Sequence, residues 1–252
     1  MSDLAGRNAL VTGAGRRVGA AIARHLGAQG VNVAVHYHGS ETGALETCSA
    51  IERSGSRAVP LRADLTTREP CRLLIDRAER LLGGLDLLVA SAASYERVAF
   101  EAIDDASWNR SLELNLNAPF ALAHRARGAL RRTRGSIVFL TDMAVRAPYP
   151  DYVPYLVSKG ALVQLMRVLA LELAPEVRVN AVAPGTVLPP VDMDADELGR
   201  ITQAIPLGRA GRPEDVADAV LYLVRASYVT GQELVIDGGR LLGHSGHRTK
   251  PA

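Results

Sequence analysis

The sequence predicts an α/β domain built on a doubly wound parallel sheet. Three observations predict it. Short apolar runs alternate with longer helical patterns along almost the whole chain. A run such as "LDLLVAS" (85–91) is apolar at nearly every position, as expected of a strand covered on both faces. A glycine-rich stretch, "TGAGRRVG" (12–19), sits between the first strand-like run and the first helical one.

The elements follow in order. "NALVT" (8–12) reads as a strand, and 16–29 as a helix stopped by Gly30. "VNVAVHY" (31–37) is a second strand, 41–53 a helix, and "RAVPLRAD" (57–64) a third strand. Pro60 lacks the N–H that a central strand must donate, so this strand belongs at a sheet edge. A helix spans 67–82, the strand 85–91 follows, and a long helix is expected from about Ser107 to Arg132. "GSIVFLT" (135–141) is a fifth strand, 152–173 a helix, and "VRVNAVA" (177–183) a sixth strand. Pro213 opens a last helix to Arg225, where a missing N–H costs nothing, and "QELVID" (232–237) closes the sheet. Repeated β-α-β order means parallel strands joined by right-handed crossovers.

The 252 residues suit one large domain, 1–252, with no internal repeat or linker. Apolar residues make up 48%, enough for a substantial core. A formal net charge of +2 implies no broad basic face, which argues against nucleic acid as a partner. No apolar run approaches the ~20 residues of a membrane helix, and "MSDLAGRNAL" lacks the build of a signal peptide. Cys48 and Cys71 are isolated thiols that suit a reducing cytoplasm. The polar segment 239–252 is expected to be a mobile tail.

Gly13, Gly15 and Gly19 mark a turn where backbone N–H groups at a helix start can meet a pyrophosphate. In its strand–turn–helix context this is a Rossmann-like dinucleotide site. Arg17 stands where such a turn usually has its middle glycine, and Arg16 adds a second cation. An acid at the end of the second strand would hold the ribose 2′-hydroxyl of NAD. This chain instead has His36, Tyr37, His38, Gly39 and Ser40, with no carboxylate before Glu41. An adenosine 2′-phosphate would meet arginines and donors there, which points to NADPH/NADP as cofactor. Further on, "YLVSK" puts Tyr155 and Lys159 four apart, on one face of a helix. A tyrosine is a poor proton shuttle unless a cation stabilises its phenolate, and Lys159 is placed to do so.

With these motifs the chain resembles the short-chain dehydrogenase/reductase family over almost its whole length. The matching pieces are "TGAGRRVG", "ADL" (63–65), "NLNAPF" (115–120), "GSIVFLTD" (135–142), "YLVSK", "VRVNAVAPG" (177–185) and "VTGQELVIDGG" (229–239). The resemblance implies about seven strands, a nicotinamide cofactor and a homotetramer or homodimer. It implies that Tyr155 donates the proton and that Lys159 binds the nicotinamide ribose and lowers the tyrosine's pKa. Asn115 would sit at a helix irregularity and hold a water, and Asp64 would contact the adenine. Cofactor contacts are implied at Gly13, Arg16, Arg17, Val18 and Gly19, at His36, Tyr37, His38 and Ser40, at Asp64 and Leu65, and at Ser91 and Ala92. Lys159, Pro184, Gly185 and Thr186 complete that set.

Asp142, thirteen residues before Tyr155, stands where most members have a serine that bonds the substrate carbonyl. An ionised carboxylate cannot donate that bond. Arg17, "HYH" and Asp142 together resemble the pteridine reductase and dihydromonapterin reductase-like branch. The implied substrate is a pterin or similar C=N heterocycle, with Asp142 and Tyr155 supplying the proton. Arg17, Tyr95, Leu188 and Met193 are candidate substrate contacts, and Met143 could line the same pocket. The segment "VDMDADELGR" (191–200) falls where the family carries its lid. Two alternatives stand beside this reading. One is a carbonyl reductase of the 3-oxoacyl thioester or ketone type, for which "RARGALRRTRG" (125–135) would be the carrier-docking patch. The other is a non-catalytic dinucleotide sensor, against which Tyr155, Lys159 and Asn115 count. No metal is expected: His244 and His247 lie in the tail without an acid or cysteine, and His124 sits inside a helix.

Overall fold

The architecture is described from a computed structural model, for residues 4–187 and 195–243. Seven parallel strands form one sheet in the order β3-β2-β1-β4-β5-β6-β7. They are β1 (Asn8–Val11), β2 (Asn32–Tyr37), β3 (Ala58–Arg62), β4 (Leu87–Ala90), β5 (Ser136–Leu140), β6 (Arg178–Pro184) and β7 (Glu233–Ile236). The helices are α1 (Arg17–Gly27), α2 (Glu41–Arg53), α3 (Arg68–Leu82), α4 (Asp105–Leu112), α5 (Ala118–Thr133), α6 (Val153–Glu172), α7 (Ala195–Gln203) and α8 (Pro213–Arg225). Pro60 is on β3, at the sheet edge, as its missing donor requires.

Alternation along each strand divides the core between the two faces. Leu10, Leu88, Ile137 and Phe139 pack with Leu122, Leu130, Leu162 and Met166 of α5 and α6. Val11, Val89, Val138 and Leu140 pack on the other face with Ile22, Leu26, Val216 and Val220 of α1 and α8. The order reverses between β1 and β4, and a crevice beyond the strand C-termini at such a point is where ligands bind in open α/β sheets.

One expected element differs. The long helix from Ser107 is three pieces: α4, a π turn over Glu113–Asn117, and α5. Asp104 caps α4, its side chain accepting from Ser107 N at 2.7 Å. Pro119 has no N–H, so the carbonyl of Asn115 loses its regular helical donor and the turn widens. The first residues of the expected tail, 239–243, are held against the fold. Asp237 accepts from Gly239 N and Leu241 N, both at 2.8 Å, and so pins the chain through these residues. The rest of the tail, with His244 and His247, lies outside the described residues.

Candidate active site

The glycine turn is held by sterics that permit no side chain at its three glycines. A Cβ on Gly19 would lie 2.3 Å from Gly13 O, one on Gly15 2.7 Å from Ser40 O, and one on Gly13 2.9 Å from Ala92 Cα. Thr12 Oγ1 accepts from Ser91 N and Ala92 N at 3.0 Å each, tying the end of β1 to the end of β4. Arg17, the first residue of α1, has φ +52°, the left-handed region that a glycine enters without cost. The middle-glycine conformation is therefore kept while the side chain is not. Arg16 and Arg17 are both exposed, and Val18 packs on the core.

His36 corrects one expectation. Its ring faces inward: Nδ1 accepts from Gly13 N at 3.1 Å and Nε2 lies 3.2 Å from Ala63 O. The first contact requires a bare Nδ1, so the proton sits on Nε2. Burial pulls its pKa down to about 4. His36 thus braces the turn as a neutral ring and offers no free donor to a phosphate. Tyr37 is also mostly buried, with its hydroxyl donating to Glu41 Oε1 at 3.2 Å. His38 and Ser40 remain at the surface end of β2. Asp64 Oδ1 accepts from Thr66 N and Oγ1, which holds its carboxyl below the usual range, and Leu65 is buried beside it.

The catalytic candidates converge at the C-terminal ends of β4 and β5. Tyr155 and Lys159 share a face of α6, 6% and 3% exposed. The Tyr155 hydroxyl donates to Asp142 Oδ2 at 2.6 Å, and Asp142 Oδ1 caps a short 3-10 turn (Met143–Val145) by accepting from Ala144 N at 2.8 Å. Lys159 Nζ donates to Leu140 O at 2.6 Å and lies 5.8 Å from the Tyr155 ring centre. Other groups than Lys159 dominate the Tyr155 hydroxyl here. Burial, the Asp142 charge and the Asp142 hydrogen bond push Tyr155 well above its ordinary value. Burial pulls Lys159 down to about 8.

Asn115 is fully buried in the π turn. Its Oδ1 accepts from Ser94 N at 2.9 Å, and its Nδ2 lies 3.1 Å from both Ser94 O and Ser158 Oγ. Ser158 Oγ donates to Tyr155 O at 2.6 Å. The side-chain amide is thus spent on protein groups, while the Asn115 carbonyl is the one that Pro119 leaves without a helical donor. The amide fastens the loop after β4 to α6, and with it Tyr95.

Tyr95 is one of four tyrosines gathered here. It stacks on Tyr152 (centroids 4.6 Å apart) and meets Tyr155 edge-on (4.9 Å). Its hydroxyl is 3.2 Å from that of Tyr149, whose ring meets Tyr152 edge-on. Arg97 donates to Asp151 Oδ2 at 2.7 Å, and Val98 N to Asp151 O, latching the two loops together. Tyr149 and Tyr152 were not among the sequence candidates. The signal was present in "YPDYVPY", three tyrosines at intervals of three ending on Tyr155.

Pro184, Gly185 and Thr186 end β6 beside the site. A Cβ on Gly185 would lie 2.7 Å from Asp237 Cα, and Thr186 Oγ1 accepts from Arg240. Met143 is buried near Gly185, its sulfur 3.4 Å from the position of that Cβ. Leu188 and Met193 lie outside the described residues. The basic stretch 125–135 is largely paired: Arg125 with Asp76, Arg131 with Glu176 and Arg132 with Glu79. His124 is exposed on α5 against Phe120. Among the described residues no cluster of His, Cys, Asp or Glu could hold a metal, and no helix is long and apolar enough to cross a membrane.

A family model described as enoyl-(acyl carrier protein) reductase matches residues 13–240. The chain belongs to the short-chain dehydrogenase/reductase family. It is 38% identical to 3beta-hydroxysteroid dehydrogenase 1 of Eggerthella lenta, over 95% of both chains. Its structure is similar to angucycline C-6 ketoreductase LanV with bound NADP (TM-score 0.90, 32% identity, 96% of this chain and 98% of that one). It is also similar to a 7 alpha-hydroxysteroid dehydrogenase complexed with NADH and 7-oxo glycochenodeoxycholic acid (TM-score 0.89, 31% identity, 94% of each chain). This short-chain dehydrogenase/reductase is therefore an NAD(P)-dependent oxidoreductase.

Proposed function

We propose that this enzyme interconverts a secondary alcohol and a ketone on a flat, ring-bearing substrate, using NADP(H). The observation that carries the reading is the 2.6 Å bond from Tyr155 to Asp142 beside a wall of three more tyrosines. Stacked aromatic surface favours planar or polycyclic substrates over small polar ones. The steroid and angucycline relatives support that choice.

The residues present fit a nicotinamide dinucleotide: the glycine cradle would hold the pyrophosphate, and Lys159 and Thr186 would border the nicotinamide end. The bound cofactor supplies or accepts the hydride. Tyr155 handles the proton. In alcohol oxidation the substrate O–H passes its proton to the Tyr155 oxygen while the Tyr155 proton passes to Asp142 Oδ2. In ketone reduction the same two transfers run backwards. Tyr155 therefore need not become a free phenolate, which agrees with its raised pKa. Preference for NADP(H) over NAD(H) rests on Arg16, Arg17 and the absence of an acid from His36 to Ser40. The working setting remains the cytoplasm, as a homotetramer or homodimer.

A second reading, reduction of a pterin-like C=N bond, is favoured by the same Tyr155–Asp142 pair, since a protonated pair can deliver a proton to a ring nitrogen. One experiment separates the readings. NADPH and NADH oxidation would be followed with a steroid ketone, a dihydropterin and an acetoacetyl thioester, in wild type and Tyr155→Phe. Ring-ketone turnover lost in Tyr155→Phe is expected. Pterin or thioester turnover with ring ketones inert overturns the proposal. NADPH binding without turnover of any of these would instead mark a dinucleotide sensor.

A further inference from the structure

We propose that Glu233, on edge strand β7, is a positioning residue that aims Asp142 at Tyr155. The proposal rests on the proton role given to Asp142 above. Asp142 lies on a short turn with Thr141 immediately before it and Arg146 closing it. Glu233 Oε1 accepts from Thr141 Oγ1 at 2.7 Å, and Glu233 Oε2 accepts from Arg146 at 2.9 Å. One carboxylate thus ties both ends of the turn.

It does so from a distance in the sheet. Glu233 pairs with Ala181 of β6, which in turn pairs with Phe139 of β5, so its side chain reaches across the intervening strand. The Glu233 side chain is 3% exposed, whereas Arg146 is 48% exposed. Burying a carboxylate is costly, and exchanging such a pair for apolar groups is often neutral or stabilising. Stability alone therefore does not account for it. What the pair achieves is a fixed turn. The Tyr155–Asp142 bond is short, at 2.6 Å, and it depends on where the turn holds Asp142; a displacement of about 1 Å takes the two oxygens out of hydrogen-bond range.

The groups facing Tyr155 are Asp142 and Tyr149 from the turn and the loop after it, Tyr95 from the loop after β4, and Lys159 from α6. Of these, Glu233 restrains the segment that bears Asp142. Loosening it should release Tyr155 from the influence that Asp142 exerts.

The test is Glu233→Gln, alone and combined with Asp142→Asn. Tyr155 ionisation is read first, from tyrosinate absorbance, with Tyr155→Phe as the reference; this needs no substrate. Tyr155 is expected to ionise at lower pH in Glu233→Gln than in wild type, and no lower in the double variant than in Asp142→Asn. With a substrate in hand, kcat should fall about tenfold with KM nearly unchanged, and the loss should vanish in the Asp142→Asn background. An equal loss in both backgrounds, or wild-type Tyr155 ionisation in Glu233→Gln, overturns the proposal. Should Glu233→Gln fail to fold, Thr141→Val and Arg146→Gln each remove one arm and carry the same test. Failure of the substrate reading leaves the absorbance result intact, so the two failures are distinguishable.

Discussion

Tyr155 donates to Asp142 at 2.6 Å, where most of the family would place a serine hydroxyl. The pairing exchanges a donor to the substrate for an acceptor behind the proton-transfer tyrosine. Asp142→Asn keeps the shape and removes the acceptor. We expect kcat to fall about a hundredfold, and Tyr155→Phe to cost at least as much. Tyr155 in Asp142→Asn should ionise at lower pH, because Asp142 is among the causes that raise it. Steady-state kinetics and a pH titration check both.

Lys159 makes the fold sensitive to alkaline pH in an unusual direction. Its folded pKa is about 8, below the 10.5 of the free side chain. Between those values the unfolded chain binds more protons, so this group favours folding progressively as pH rises. Below pH 8 its cost is about 3 kcal/mol, the gap of two to three pKa units. Lys159→Met should be inactive yet more stable than wild type near neutral pH, by about 1–2 kcal/mol after loss of the bond to Leu140. Denaturant titrations should show that advantage shrinking from pH 8 to 10.5.

His36 acts at the acid end. Its folded pKa of about 4 lies below the ordinary 6.5, so protonation favours the unfolded chain. Stability should fall as pH drops through that window, by up to about 3 kcal/mol from this group. In His36→Gln the slope between pH 6.5 and 4 should flatten. Thermal melts across that range test it.

Arg17 carries a conformational cost and a binding role. At φ +52° a glycine would relieve about 1 kcal/mol of strain. Arg17→Gly should therefore raise Tm while weakening NADPH about tenfold, with a smaller effect on NADH. Calorimetry with each cofactor separates the two contributions.

Tyr95 tests the aromatic wall. Tyr95→Ala removes its stack on Tyr152 and its edge contact with Tyr155. KM for a ring ketone should rise about tenfold, as lost stacking contacts predict, with little change for a small aliphatic ketone.

The sequence by itself determined the sheet, the cofactor turn and the pairing of Tyr155 with Lys159. These rest on local signals: period-two and period-3.6 patterning, glycines where a Cβ would collide, and residues one helical turn apart. Pro60 even located its strand at the edge, because a missing N–H is a local fact with a tertiary consequence. Tertiary structure decided what burial and long-range pairing decide. Spacing paired Tyr155 with Lys159, but only the fold shows that burial and Asp142 push the Tyr155 pKa up. The donors of "HYH" seemed open to a phosphate, but His36 turns inward to bind Gly13 and Ala63. Tyr95 joined Tyr149 and Tyr152 only when two loops more than fifty residues apart were latched by Arg97 and Asp151. Glu233 reached Thr141 only across β6. Sequence spacing encodes neighbours along one element. Desolvation and contacts between strands exist only once the chain has closed on itself.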